Sequence, residues 1–389
     1  MSITTPAGFV AAGIACGIKV SGALDLALLS SADGRPIPTA ATFTSNRACA
    51  APVQVSRDHL REAGGQASAV VVNSGNANAA TGERGRADAV RMCDLVADGL
   101  EVPAHDVLVC STGLIGIPLP MEPIESGVPR LVASRSPDTS SAEAAARAIL
   151  TTDSGPKEVL VGTAGYTVAG MAKGAGMLAP DMATMLAFLT TDAEVEPVAL
   201  ADVLRIAVRD SFNAMTVDGC TSTNDTVVLM ASGQAGPTDP NLLTTIVTEA
   251  CANLAAQMAA DAEGASKLVS IRVTGARSDG EAHRAARKVA ESLLVKCSLN
   301  GEDPYWGRVV SDLGSAGVDF EMDRVSIDYG GVTVCDGGVA SAHDADAVAE
   351  HLSGSRVDIH CRLGLADGDA TVMGVDLGYG YIDENRTTS

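Results

Sequence analysis

The stretch with the most chemistry to offer runs Met171-Ala-Lys-Gly-Ala-Gly-Met-Leu-Ala-Pro-Asp-Met-Ala-Thr-Met-Leu186. A glycine-rich segment precedes Ala183-Thr184, and an apolar run follows from Met185 to Leu189. A threonine in such a place is ordinarily a turn or strand residue. If the Ala183–Thr184 bond is cut, however, Thr184 becomes a chain start that carries a hydroxyl and an α-amine together. The amine titrates at about 7.7–8.0. It can therefore take the hydroxyl proton near neutral pH, so that nucleophile and base share one residue.

The same stretch admits a second reading. Gly174-Ala-Gly-Met-Leu-Ala179 fits the GxGxxA form of a dinucleotide-binding turn, with Asp192 and Glu194 near the expected acidic position. Pro180 argues against it, because the helix should be opening there and an internal proline costs about 3 kcal/mol. The sequence contains no HExxH, GxxxxGK[ST], GxSxG or EF-hand loop. Its six histidines (59, 105, 283, 343, 351, 360) show no metal-like pairing and read as surface or strand-face residues. Nine cysteines are scattered without a CxxC, at 16, 49, 93, 110, 220, 251, 297, 335 and 361. An odd number of this kind predicts reduced thiols buried as small hydrophobes.

These residues need elements to position them. Short apolar runs at Val70–Val72, Val107–Val109, Val159–Val161 and Val227–Leu229 predict buried strands. Alternation at Val269, Ile271, Val273 and at Val357, Ile359, Cys361, Leu363 predicts strands with one dry face, turning Arg272, Arg356, Asp358 and His360 to the wetter side. Helical spacing appears at Val90, Cys93, Ala97, Leu100, at Leu204, Val208, Phe212, and from Leu243 to Met258. Ser140 with Glu143 fits a capping box opening a helix over 141–150. At 389 residues the prior is roughly two to three domains, yet no linker or repeat separates them. Strand and helix patterns intermix throughout, which predicts an α/β layered body.

Composition narrows the partners. With 27 Lys and Arg against 48 Asp and Glu, the net charge is −21. So acidic a surface repels phosphate backbones and anionic lipid heads, which excludes nucleic acid and membrane surfaces as natural partners. The opening residues carry no charge before Lys19 and are interrupted by Pro6 and glycines, unlike a signal peptide or membrane span. Cytoplasmic residence is the expectation.

The segment around Ala183-Thr184 resembles the self-cleavage site of the ornithine acetyltransferase family, the glutamate N-acetyltransferases of arginine biosynthesis. Further blocks agree in order along nearly the whole chain: Asn73–Ala79 (NSGNANA), Ser111–Gly116 (STGLIG), Thr151–Lys157 (TTDSGPK), Ser211–Asn213, Thr221–Thr226 (TSTNDT), Asp261–Lys267 (DAEGASK), Gly301–Arg308 (GEDPYWGR) and Glu384-Asn385.

The resemblance implies roles residue by residue. Thr184 would be the nucleophile that first attacks its own preceding carbonyl and later carries the acetyl group. Thr112 and Gly113 match an oxyanion-hole pair, Lys173 a substrate-contacting lysine, and Thr151 or Thr152 a substrate-binding threonine. Glu263 matches the acidic residue that receives the amino end of ornithine, and Asn385 and Ser389 match positions where the tail closes over substrate. A cation for the α-carboxylate and an anion for the ammonium are what amino-acid substrates require; which contact Lys173 and Glu263 each make stays open. Departures from the family pattern are Ala262 for Gly, Tyr305 for Asn, Leu293 for Pro, and Ala214-Met215 after Phe-Asn.

The fold implied is an αββα sandwich of the N-terminal-nucleophile type. Autoproteolysis would give an α-chain, 1–183, and a β-chain, 184–389, together one compact catalytic unit that assembles as a dimer of αβ pairs. The reaction implied is a ping-pong transfer of acetyl from N2-acetylornithine to glutamate, acetyl-CoA being a further donor for some members. No metal or redox cofactor is implied. The readings left beside it are a nucleotide-dependent enzyme using the 174–179 loop, a binding protein that has kept the fold but lost the chemistry, and an aminopeptidase of related fold.

Overall fold

A computed structural model describes residues 2–163, 165–178 and 185–386. Two compact units make up the chain, one of Met1–Asn213 with Cys220–Met258, the other of Ala214–Gly219 with Ala259–Ser389. The junction at 183/184 thus falls inside the first unit rather than at the division between the two.

In chain order the first unit holds strands β1 (Phe9–Ile14), β2 (Leu26–Ser31), β3 (Ile37–Phe43), β4 (Gln66–Ala67), β5 (Ala69–Asn76) and β6 (Val107–Leu114). It continues with β7 (Lys157–Gly162), β8 (Thr167–Lys173), β9 (Leu186–Glu194) and β10 (Thr226–Pro237). Its helices are α1 (Ala51–Glu62), α2 (Gly82–Leu100), α3 (Met121–Ala133), α4 (Thr139–Ala148), α5 (Pro197–Arg209) and α6 (Pro240–Ala260). One sheet has the order β1-β2-β5-β6 and the other β4-β3-β10-β9-β8-β7.

Strand alternation builds the layers. Leu26, Leu28, Val71, Val107 and Val109 face a core shared with Val55 of α1, Met92 and Val96 of α2 and Leu131 of α3. Their neighbours Ala27, Leu29, Val70, Val72 and Leu108 face Met171, Phe188, Val228 and Met230 of the other sheet. A side-chain period of two therefore gives each strand one face for helices and one for strands. Behind the second sheet, α5 lies against β3 and β10, and Gly170 of β8 leaves room for Leu254 of α6. Helix, sheet, sheet and helix follow one another, the αββα order that the resemblance implies.

The second unit contains α7 (Asp279–Ala290), α8 (Leu293–Asn300), α9 (Trp306–Gly314), α10 (Ala345–Ser353) and α11 (Tyr379–Glu384). Its strands are β11 (Leu268–Ala276), β12 (Ser326–Tyr329), β13 (Val332–Asp336), β14 (Val339–Ala340), β15 (Arg356–Arg362) and β16 (Gly368–Val375), in the order β14-β13-β12-β15-β11-β16. Val269, Ile271, Val273, Val357, Ile359, Cys361 and Leu363 form its dry face against Ala285, Val289, Leu299, Leu313 and Leu352. On the other face Arg272 pairs with Asp369.

Some expectations are corrected. Ser140 and Glu143 open no capping box: α4 starts at Thr139 after Asp138, with no side-chain cap bond. A serine N-cap bond is made at α7 instead, where Ser278 Oγ accepts from Glu281 N at 3.3 Å. Phe212 lies beyond α5 in a short 3-10 turn, Phe212–Ala214. Cys220 and Cys297 are exposed, whereas Cys93, Cys110, Cys251, Cys335 and Cys361 are buried; burial pushes the Cys110 thiol up to about 12, leaving it inert. Among the described residues no helix is long and apolar enough to cross a membrane.

Candidate active site

Three strand ends and two strand starts carry the described residues of the candidate site. Strands β5 and β6 run parallel and finish at Asn76 and Leu114. Strand β8 finishes at Lys173, opposite Leu186 at the start of β9. Parallel pairing of β9 with β10 puts Leu186 opposite Thr226, so the residues entering the two strands, Met185 and Asp225, lie side by side.

Thr112 and Gly113 occupy the finish of β6, half-buried and exposed respectively. Gly113 has φ +131, and a Cβ there would come within 2.3 Å of Gly75 C. Only glycine fits that approach, which accompanies a bulge in β5 between Gly75 and Asn76. Asparagines of the 73–79 block tie the bulge down. Asn73 Nδ2 donates to Asn76 O at 2.8 Å, and Asn76 Nδ2 donates to Ile117 O at 3.1 Å.

Lys173, 6% exposed, lies in a knot of buried charge. Its Nζ donates to Thr151 Oγ1 at 2.7 Å and stands 3.7 Å from Asp153 Oδ2. Asp153 Oδ1 accepts from Lys157 Nζ at 2.7 Å and from Gly174 N at 2.6 Å. Burial alone would raise the Asp153 pKa. The charges of Lys173 and Lys157, with those two hydrogen bonds, outweigh burial and bring it down to about 2. The segment carrying Thr151 and Asp153 is itself pinned: Ser74 Oγ donates to Ala148 O at 2.6 Å and Lys19 Nζ donates to Leu150 O at 2.8 Å.

Lys19 owes its place to Asp25, whose carboxylate accepts from the backbone N–H groups of Cys16, Gly17, Ile18 and Lys19 at 2.7–3.1 Å. Burial opposes the Asp25 charge, but those N–H donors win and lower its pKa.

Glu263 and Asn385 belong to the second unit, where the structure brings them together: Asn385 Nδ2 donates to Glu263 Oε2 at 2.9 Å. The tail reaches that point because α11 is docked. Gly264 (φ +64) would drive a Cβ to 1.9 Å from Tyr381 N, and its N–H donates to Glu384 Oε1 at 3.2 Å. Thr151 and Thr152 are both exposed, and Thr151 is the member of the pair that meets Lys173. Ala183, Thr184 and Ser389 lie outside the described residues.

The dinucleotide reading fails on topology. Strand β8 does precede Gly174, but the next described element is the antiparallel strand β9, where the fingerprint requires a helix and a parallel crossover. Sequence reasoning missed Asp153, Lys157, Lys19, Asn224 and Asp225 as site residues. Asp153 and Lys157 stand in a block the sequence analysis singled out, but their lysine partner is 20 residues from Asp153, at 173, and no local spacing reveals that pairing.

Comparison with known proteins gives a family match: the ArgJ family model covers residues 10–387. The arginine biosynthesis bifunctional protein ArgJ of Mycobacterium leprae (strain TN) is 46% identical, with 100% of this chain and 95% of that protein covered. The protein of the same name from Geobacter sulfurreducens is 46% identical, over 97% of this chain and 98% of its own length. Among solved structures, ornithine acetyltransferase of Mycobacterium tuberculosis complexed with ornithine is 46% identical, covering 46% of this chain and 95% of that one, with a TM-score of 0.44.

Proposed function

The chain belongs to the ArgJ family, and from that premise we propose that it is an autoproteolytic acyltransferase moving acetyl from N2-acetylornithine to glutamate in arginine biosynthesis. Identity of 46% along the whole chain to a protein named for arginine biosynthesis carries the reading. The buried Lys173–Asp153 pair, with the exposed Thr151 on the lysine, supports it over a homologue that has lost its chemistry, since a lysine held by a carboxylate costs burial that an inert site has no reason to keep.

In the proposed sequence, Thr184 Oγ attacks the Ala183 carbonyl carbon. The C–N bond breaks, Thr184 N takes a proton as the new α-amine, and water hydrolyses the ester. The α-amine then accepts the hydroxyl proton while Oγ attacks the acetyl carbonyl of acetylornithine. Ornithine leaves with that proton, and the amine of glutamate attacks the acetyl-threonine ester in turn. Thr112 and Gly113 are proposed as donors to the oxyanion, the kind of contact whose loss typically costs about 2.7–4 kcal/mol. Lys173 and Thr151 are proposed to hold substrate polar groups. For Glu263, Asn385 and Ser389, substrate contact rests on their motifs. Cytoplasmic residence and a dimer of αβ pairs belong to the same reading. The relatives are called bifunctional, so acetyl-CoA is the second donor to assay.

The test joins mass and activity. The purified chain should give two fragments, one starting Thr-Met-Leu-Ala-Phe, and should form acetylglutamate from acetylornithine and glutamate. Thr184→Ala should stay intact and inactive while folding, because one hydroxyl is worth about 1 kcal/mol. An intact parent chain, or a cut elsewhere, removes Thr184 as nucleophile.

A further inference from the structure

Asn224 and Asp225 sit in the Thr221–Thr226 block and have no part in the chemistry just described. Both are buried, at 7% and 3% exposure. Asn224 Nδ2 donates to Ala77 O at 2.6 Å and to Ser111 O at 2.9 Å. Thr223 Oγ1 donates to Asn224 Oδ1 at 2.6 Å and thereby orients the amide. Ser111 directly precedes Thr112 and Gly113, so Asn224 holds the approach to the oxyanion pair.

Asp225 reaches the other way. Met185 N donates to Asp225 Oδ1 at 2.6 Å, while Thr226 N donates to Met185 O at 3.1 Å. Met185 is the residue after Thr184, and its N–H belongs to the peptide group that Thr184 itself forms. Two consecutive buried side chains therefore bind, on one side, the strand that presents the oxyanion donors and, on the other, the peptide that follows the nucleophile. Phe43, Met185, Val208, Phe212 and Val227 line a small cavity at Asp225. Its second oxygen, Oδ2, is buried, with no hydrogen-bond partner found among the described residues. In those surroundings burial dominates and raises the Asp225 pKa well above the ordinary carboxylate range, against the opposing pull of the Met185 N–H and of Lys173.

Building on the acyltransferase reading, we infer that Asn224 and Asp225 are positioning residues: a clamp that fixes the distance between the nucleophile's peptide and the oxyanion pair through the Met185 N–H and the Ser111 carbonyl. An exposed carboxylate would serve no better. The clamp needs an acceptor of fixed length at Oδ1, and it does not need a charge.

That distinction is the test. Asp225→Asn keeps an acceptor at the same reach and removes the charge; Asp225→Glu keeps the charge and lengthens the reach by one methylene. Both are made in the full chain, checked for cooperative melting, and read by fragment mass over time and by kcat and KM for acetylornithine. Asp225→Asn is expected to cleave, with kcat within about tenfold of the parent. Asp225→Glu is expected to cleave slowly, with kcat lower by roughly 10²-fold and KM nearly unchanged, the scale on which a 1 Å misplacement acts. A slow Asp225→Asn overturns the inference whatever Asp225→Glu does, and so does a fast Asp225→Glu. If Asp225→Glu does not fold, Asp225→Asn decides alone, retention supporting the clamp and a 10²-fold loss overturning it. A parent that makes no acetylglutamate overturns the functional reading instead, and the cleavage time course then still decides for or against the clamp.

Discussion

Lys173 in the first unit and Lys296 in the second are buried to the same degree, 6% and 4% exposed, yet they are held by different chemistry. Lys173 has a carboxylate, Asp153, within 3.7 Å and a hydroxyl at 2.7 Å. Lys296 Nζ donates to two backbone carbonyls, Val217 O at 2.6 Å and Val375 O at 2.7 Å, which join the 214–219 segment to the end of β16. Burial pulls the Lys296 pKa down to about 8, only partly offset by Asp218 and Asp376. A buried cation facing carbonyls closes the fold and carries its desolvation cost. One facing a carboxylate beside strand ends is the one we propose holds a polar group of the substrate.

Substituting both lysines should break the symmetry of burial most sharply. Lys173→Met is expected to lower acetyl transfer by roughly 10²-fold or more. Its stability loss should stay at or below the lower end of the about 3–5 kcal/mol typical of a broken buried pair, because Lys157 still neutralises Asp153. Lys296→Met should do the reverse. Two carbonyls lose their donor, which costs roughly 1–3 kcal/mol, while kcat per folded molecule is unchanged. Denaturant melts with kcat on the same samples check the pair. Equal activity losses would remove the functional distinction between the two lysines.

The two sites also bend the pH dependence of stability in different windows. Asp153 has a folded pKa of about 2, below its ordinary 3.8. The unfolded chain binds the proton first, so the contribution is complete above about pH 4 and is lost as pH falls through about 2, some 2 kcal/mol in all at 1.36 kcal/mol per unit. Lys296 has its folded pKa lowered from 10.5 to about 8. Its burial cost is present in full below pH 8 and is relieved as pH climbs toward 10.5. The stability difference between parent and Asp153→Asn should therefore change from pH 4 to 2, and that between parent and Lys296→Met from pH 8 to 10. A parent and Asp153→Asn that track each other down to pH 2 would show that the carboxylate is not held by its lysines.

Periodicity made the layers legible before the site. Val70–Val72, Val107–Val109 and Val227–Leu229 are strands because continuous apolar runs suit sheets covered on both faces. Val159–Val161 is a strand as well, but Leu160 and Val161 are only half-buried because β7 is a sheet edge. Ser140 and Ser278 are each followed by Glu three residues on, so spacing alone does not tell them apart, and only the backbone at Ser278 turns the hydroxyl onto Glu281 N. Lys173 and Glu263 stand in short motifs that are visible in the sequence itself. Asp225, by contrast, meets Met185 only because two parallel strands start level with each other, a register that residues 40 apart do not encode locally.

The smallest effect on stability, and the finest test of the contrast, concerns the tail. Chain ends are normally frayed and tolerate loss. This one is anchored ahead of its last residues: Tyr381 is pressed against Gly264, Glu384 accepts from Gly264 N, and Tyr381 OH donates to Asp218 Oδ2 at 3.4 Å. Deleting 385–389 leaves those anchors and removes the Asn385–Glu263 bond at 2.9 Å, so stability should change by less than about 1 kcal/mol. Glu263 would then lose the partner that orients it. If Asn385 and Ser389 close over substrate as proposed, water should reach the acetyl-threonine ester more readily after deletion. The ratio of acetylglutamate formed to acetate released should fall several-fold at nearly constant acetylornithine consumption, on the order of 1 kcal/mol in relative barriers. Asn385→Ala should reproduce part of that fall. A ratio unmoved by either change would make the Asn385–Glu263 contact a fastening of the second unit's tail and nothing more.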